Sequence, residues 1–216
     1  MNQKNDRSLY NQFLEQILKE FPTLNERIIF YFISAGEQYS KCQCMPYRMV
    51  YDMMLVYGIM WENRNGAYSI IPVTNDIMNL WKMQEKDLFA EARKNTPCLL
   101  PVCLQPIEEM LSHVLATEEK KEVRTDMYVL TNRNGCLGAA AMLYENVLKR
   151  FAESLDSDLY ILPSSVHEVI LLPIWGQEKE ILQNMVVEIN EKEVQKKDIL
   201  SNTVYRYLRK TDQIVK

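Results

Sequence analysis

Histidine is nearly absent, with two residues in 216. That scarcity leaves little for a zinc site or a histidine-based relay, since both draw on several ligands or a base with its partners. Glycine and proline are sparse, at 6 and 8, which excludes collagen-like and low-complexity linker classes. Basic residues are not in excess: 25 Lys and Arg stand against 29 Asp and Glu, for a net charge of -4. Phosphate contacts need an excess of cations, so this balance argues against a nucleic-acid binder. No long hydrophobic run occurs. The longest, Met53 to Trp61, is roughly half of the ~20 residues a spanning helix needs, so no membrane contact is expected.

The five cysteines (Cys42, Cys44, Cys98, Cys103, Cys136) are odd in number and lack framework spacing. They fit a reducing cytoplasm better than secretion. Met1 to Arg7 is polar, without the apolar stretch of a signal peptide. Neither end carries a lipidation box. The expected compartment is the cytoplasm.

What is present is ordinary globular material: 47% hydrophobic and 25% charged residues. A chain of this length buries about 70% of its extended surface and needs no metal or disulfide to fold. Helical spacing of Tyr10, Phe13, Leu14, Ile17, Leu18 and Phe21 predicts a first helix, capped by Ser8 and ended by Pro22. Arg27 to Ile33 and Met49 to Trp61 read as strands. Asn63-Arg64-Asn65-Gly66 then predicts a hairpin into Tyr68 to Val73, because a type I′ turn wants positive φ at its centre. Thr74 and Asp76 start a short helix, and another covers Glu85 to Lys94. The prolines of Thr96 to Pro106 suggest a link between lobes, with Pro106 opening a helix through Ile107, Met110, Leu111, Val114 and Leu115. Thr117 to Asp126 carries four acids and three bases and reads as a solvated loop.

In the second half, Asp126 to Thr131 reads as a strand, followed by a second Asn-Arg-Asn-Gly and a returning strand, Leu137 to Met142. The periodic apolar residues from Tyr144 to Leu155 predict a helix. Strands follow at Leu159 to Leu162 and Val166 to Leu172, then a helix bearing Ile181, Leu182, Met185, Val186 and Ile189. A last strand covers Val204 to Leu208. Residues flanking the two tetrapeptides do not match, which favours a shared turn solution over duplication. Without regular βαβ alternation, the expected fold is α+β: antiparallel-rich mixed sheets with packed helices in two loosely separated lobes. The lobes are residues 1–105 and 106–216, or one domain, 1–216.

Three stretches resemble a known family. They are Met127 to Asn132, Gly138 to Tyr144, and Leu159 to Ile170 with its Pro163-Ser164-Ser165-Val166-His167-Glu168 core. Pro46 to Asp52 and Trp81 to Pro97 are similar to its upstream region. The chain resembles bacterial domain-of-unknown-function family 5688 over most of Arg27 to Leu208. That resemblance implies the fold class and compartment, and brings no activity, cofactor or site residue with it.

The sharpest chemical cluster is Ser164, Ser165, His167 and Glu168. A hydrolase needs a nucleophile bonded to a base that an acid orients. On a strand from Val166, His167 would point with Val169 and Leu171, and Glu168 to the opposite face. Ser165 and His167 would stand about 6 to 7 Å apart, beyond a direct hydrogen bond. No Gly-x-Ser-x-Gly elbow occurs. Turn and strand-end hydrogen bonding is therefore expected of the serines, with Ser165, His167 and Glu168 kept as the candidate catalytic residues. Cys42-x-Cys44 and Cys98-x4-Cys103 are not metal hooks. Buried, inert thiols are expected, and no metal or cofactor. Asp156-x-Asp158 follows a helix, where Asp supports a turn. No phosphate-binding glycine loop is present. Met45, Met49, Met53, Met54 and Met60 are core filler or an adaptable interface. Tyr205, Arg206, Tyr207, Arg209 and Lys210 read as a strand with one charged face. The expected function is a cytoplasmic binding or accessory protein acting through contacts with a protein partner. The alternative is a small hydrolase using Ser164 to Glu168.

Overall fold

The computed structural model describes residues 23–41, 43–62, 68–109 and 126–216, together with Glu15. The expected first helix, the first Asn-Arg-Asn-Gly tetrapeptide, the charged loop and Cys42 lie outside these residues, apart from Glu15 and Asp126.

The fold is α+β, built on two antiparallel sheets. The first contains β1 (Ile28–Ile33), β2 (Tyr47–Val50), β3 (Met53–Glu62) and β4 (Tyr68–Pro72). Its central strand β3 pairs with β1 on one side, and with β2 and β4 on the other. Every residue of β1 is buried. Both faces are covered, which is why the strand reads as continuous apolar sequence. Ile28, Phe30 and Phe32 join the main core. Ile29, Tyr31 and Ile33 face a second cluster with Met45, Met54 and Val56.

The run Met49 to Trp61 is two strands, not one. Tyr51 stands at φ 59°, in the left-handed region, and Tyr51-Asp52 turns β2 back onto β3. Glu62 pairs with Tyr68 across the first tetrapeptide, so the predicted hairpin forms. Of the five clustered methionines, Met45, Met53, Met54 and Met60 are core residues.

A short helix, α1 (Gln38–Lys41), follows β1. The Thr74 hydroxyl caps α2 (Asn75–Leu80) by accepting from the Ile77 N–H at 3.3 Å. A capping box between Gln84 and Asp87 starts α3 (Glu85–Leu99). This helix outruns its predicted end at Lys94 and passes through Pro97. So near the C-terminus, the missing proline N–H costs only one ladder bond. Thr96 to Pro106 is therefore no linker: Val102–Pro106 is strand β5. Pro106 ends that strand on a sheet edge, where proline is tolerated. Residues 107–109 are helical; the rest of the helix predicted there lies outside the described residues.

The second sheet runs β10-β9-β7-β8-β6-β5, antiparallel throughout. Its remaining strands are β6 (Tyr128–Asn132), β7 (Leu159–Leu162), β8 (Val169–Pro173), β9 (Tyr205–Leu208) and β10 (Gln213–Val215); β10 had no sequence signal. The remaining helices are α4 (Val147–Ser154), shorter than its periodicity suggests, and α5 (Lys179–Lys192). On α5, Leu182, Val186 and Asn190 are buried, whereas Ile181 and Ile189 are exposed. The largest core cluster takes residues from both sheets, among them Phe30, Tyr57, Leu130, Leu171 and Tyr205.

Leu137 to Met142 does not return as a strand. Gly138–Leu143 is a 3-10 helix laid against β6. Asn132 accepts from the Asn134 N–H (3.0 Å) and donates to the Cys136 carbonyl (2.8 Å), an Asx-type turn. Gly135 has the expected positive φ, 62°, but Leu137 at φ 54° then redirects the chain. The small residues serve close approach: a Cβ on Gly138 would lie 2.2 Å from Thr131 Oγ1 and 2.7 Å from the His167 carbonyl. The two tetrapeptides thus lead to different structures.

Candidate functional site

The Pro163 to Glu168 segment is a junction between β7 and β8. The strand predicted from Val166 begins only at Val169, so strict alternation does not place His167 or Glu168. Ser165 instead bridges Ile199. The carbonyls of Pro163 and Ser164 accept from Ser201 (3.0 Å) and Leu200 (2.9 Å). Ser165 is 5% exposed, and its hydroxyl oxygen accepts from the His167 backbone N–H at 3.0 Å.

The His167 ring is engaged at both nitrogens. Nδ1 accepts from the Leu137 N–H at 3.2 Å. That fixes the proton on Nε2, which lies 3.4 Å from Asp198 Oδ1. The His167 carbonyl accepts from Gly138 N–H (2.9 Å) and the Thr131 hydroxyl (2.8 Å). His167 therefore ties three segments together: the turn after β6, the 3-10 helix and the loop before β9. Neither nitrogen is turned to Ser165 Oγ, and half-buried Glu168 does not complete a relay.

Other polar groupings join distant parts of the chain. Arg48 makes a bidentate pair with Glu85, both contacts 2.9 Å, and lies 3.9 Å over the Phe89 ring. The Tyr57 hydroxyl also donates to Glu85. Burial would raise the Glu85 carboxyl, but the bonds from Arg48 and Tyr57 outweigh it and hold the group below the usual range. Asp52 ties the two sheets. Its carboxylate accepts from Ser201 (2.8 Å), Thr203 (3.0 Å) and the Tyr205 hydroxyl. Burial opposes its charge; these three donors prevail and lower its pKa. Neither cluster was visible in sequence, because its members are far apart along the chain.

Asp156 and Asp158 support the turn between α4 and β7. Asp156 pairs with the Arg209 guanidinium, and Asp158 accepts from the Arg209 N–H at 2.9 Å. In the basic-aromatic segment Tyr205 and Tyr207 are core residues. Contrary to expectation, Cys44, Cys98 and Cys136 are exposed thiols: each sits in a turn or on the outer side of a helix. Among the described residues no group of three metal-ligating side chains converges, and no helix is long and apolar enough to cross a membrane.

The edges of the first sheet differ. Along β1, Thr96 accepts from the Phe30 N–H (3.1 Å) and Asn95 donates to the Ile28 carbonyl (3.2 Å). The helix α3 thus occupies two outward groups of that strand, the Phe30 N–H and the Ile28 carbonyl, and every residue of the strand is buried. On β3 the Tyr57 carbonyl faces away from β1, accepting from Val73 N–H at 2.9 Å. By alternation Met53 and Leu55 turn the same way and bond their partners, Val50 and Arg48. The N–H and C=O groups of Tyr47 and Met49 therefore point outward and have no partner among the described residues. Their side chains are 42% and 46% exposed.

Residues 2–209 match the DUF5688 family, a family of unknown function. The chain belongs to that family. No curated protein and no solved structure is significantly similar to it. Within this DUF5688 protein, the three stretches that carried the resemblance are β6, the 3-10 helix laid against it, and β7 with the His167 junction.

Proposed function

We propose that this DUF5688 protein is a non-catalytic cytoplasmic binding protein that takes an extended segment of a protein partner along β2. The observation that carries this reading is the contrast between the two edges. β1 is guarded by Asn95 and Thr96, whereas β2 offers outward backbone groups at Tyr47 and Met49, flanked by their exposed side chains. An added strand gains main-chain hydrogen bonds, and alternate side chains supply specificity. One face of such a segment would lie over Tyr47 and Met49, an apolar and adaptable surface. The other would meet the half-exposed Arg48–Glu85 pair. The preferred partner segment therefore alternates apolar residues with polar or charged ones. A hydrolase at Ser164 to Glu168 finds no support in the geometry, since both His167 nitrogens are engaged away from Ser165.

The test is selection from a displayed random-peptide library against the wild type and two variants. Met49→Pro removes only an outward N–H, so the β2–β3 ladder survives. Met49→Lys places a charge where natural edges carry one. Alternating peptides should be enriched on the wild type and lost on both variants. Enrichment that is unchanged by either substitution, or none on the wild type, contradicts the reading.

A further inference from the structure

A cleft of about 400 Å³ opens at the seam of the two sheets, within the volume range of small-molecule sites. Three turns wall it: Tyr51-Asp52, the segment between the 3-10 helix and α4, and the β9–β10 turn. In each, a non-glycine residue lining the cleft holds positive φ, namely Tyr51 (59°), Asn146 (62°) and Asp212 (53°). Such conformations persist only where surrounding structure over-determines them. Tyr51 is fixed by donating its hydroxyl to the Ile214 carbonyl at 2.6 Å and by packing at 4.9 Å on the Tyr205 ring. The cleft is thus built into the scaffold and does not depend on the β2 edge being occupied.

Its chemistry is uneven. The exposed Tyr51 ring and the half-buried Val50 and Ile214 give it one apolar side, while Leu148 and Tyr207 are buried behind it. Four charged residues line it. Arg93 and Glu145 pair with one another at 3.4 Å. Asp212 accepts from the Tyr207 hydroxyl at 2.6 Å. The fourth, Lys149, is half-buried and has no counter-ion among the described residues.

We propose that this cleft binds a small organic anion: an apolar or aromatic body carrying one acidic group, either a carboxylate or a phosphate monoester. The body lies against Tyr51, Val50 and Ile214, and the acid pairs with Lys149. A charged hydrogen bond of this kind separates anion from neutral isostere by roughly tenfold or more in affinity. A ligand with several acidic groups does not fit, since Glu145 and Asp212 stand on the same walls.

The experiment is a ¹⁵N NMR titration of the full chain with phenylacetate, phenyl phosphate and neutral phenylacetamide. At least one anion should move resonances of residues 145–149 and 207–214 saturably, with phenylacetamide at least tenfold weaker. Which anion binds tells carboxylate from phosphate. Lys149→Gln should weaken that anion tenfold or more at an unchanged melting temperature, Lys149→Arg should retain it, and Lys179→Gln on α5 should leave it untouched. No saturable shift in the cleft with either anion overturns the proposal. So does equal binding of the amide, or a Lys149→Gln variant that binds as the wild type does.

Discussion

Leu137 donates its backbone N–H to Nδ1 of His167 across 3.2 Å while standing at φ 54°. A bulky residue in that region is strained by about 1–2 kcal/mol, and here an imidazole from a different loop takes up the N–H the strain exposes. His167 is thus a structural bracket. Replacing it with alanine takes away the partner of the Leu137 N–H and the contact that the Asp198 carboxylate makes with Nε2. His167→Ala should therefore lower stability by about 1–3 kcal/mol, which is about 2–4 °C per kcal/mol for a domain of this size. Thermal melts check it; an unchanged midpoint speaks against the bracket.

The two glycines around that bracket should respond differently. A Cβ added at Gly135 would meet nothing within 4 Å, but the residue holds φ +62°, so Gly135→Ala should cost about 1 kcal/mol. At Gly138 the same atom would meet Thr131 Oγ1 at 2.2 Å and Asn132 N at 2.6 Å. Backbone cannot give way as a side chain can, so Gly138→Ala should cost about 3 kcal/mol or more. Urea unfolding of both variants should return that order; equal losses would not fit.

The Asp52 latch sets an acid dependence. Its pKa is lowered in the folded protein, so the unfolded chain binds the proton more readily. Its contribution is complete above the ordinary carboxylate range and is lost as pH falls through the lower, folded-state value. Glu85 acts in the same direction. Asp52→Asn should therefore be less stable than wild type at neutral pH and lose less on acidification. Urea unfolding from pH 7 to pH 3 checks this, and parallel curves for both proteins would refute it.

Much of the fold was legible where local chemistry decides it. Uniform apolarity revealed β1 and the buried stretch of β3, and Thr74 announced its helix. The misreadings have particular causes. Leu137 gives no side-chain sign that it will take positive φ, so Asn-Gly and a run of alanines looked like a hairpin; only the space against Thr131 explains why small residues stand there. Pro97 looked like a boundary because its cost near a helix end is small. The candidate cluster at Ser164 to Glu168 was found as a stretch of chain, but its contacts were not: Leu137 and Asp198 lie about thirty residues away on either side. Arg48 with Glu85, and Asp52 with Tyr205, are likewise brought together only by tertiary structure. The β2 edge was half-visible, since Met49 belonged to a methionine cluster whose other described members proved to be core.

The most direct test of the central claim is backbone amide exchange along β2, in the free protein and with an enriched peptide bound. The account predicts slow exchange at Arg48 and Val50 in both states. At Tyr47 and Met49 it predicts fast exchange in the free protein and protection on binding. Protection of Tyr47 and Met49 already in the free protein, or fast exchange there with peptide bound, would contradict it.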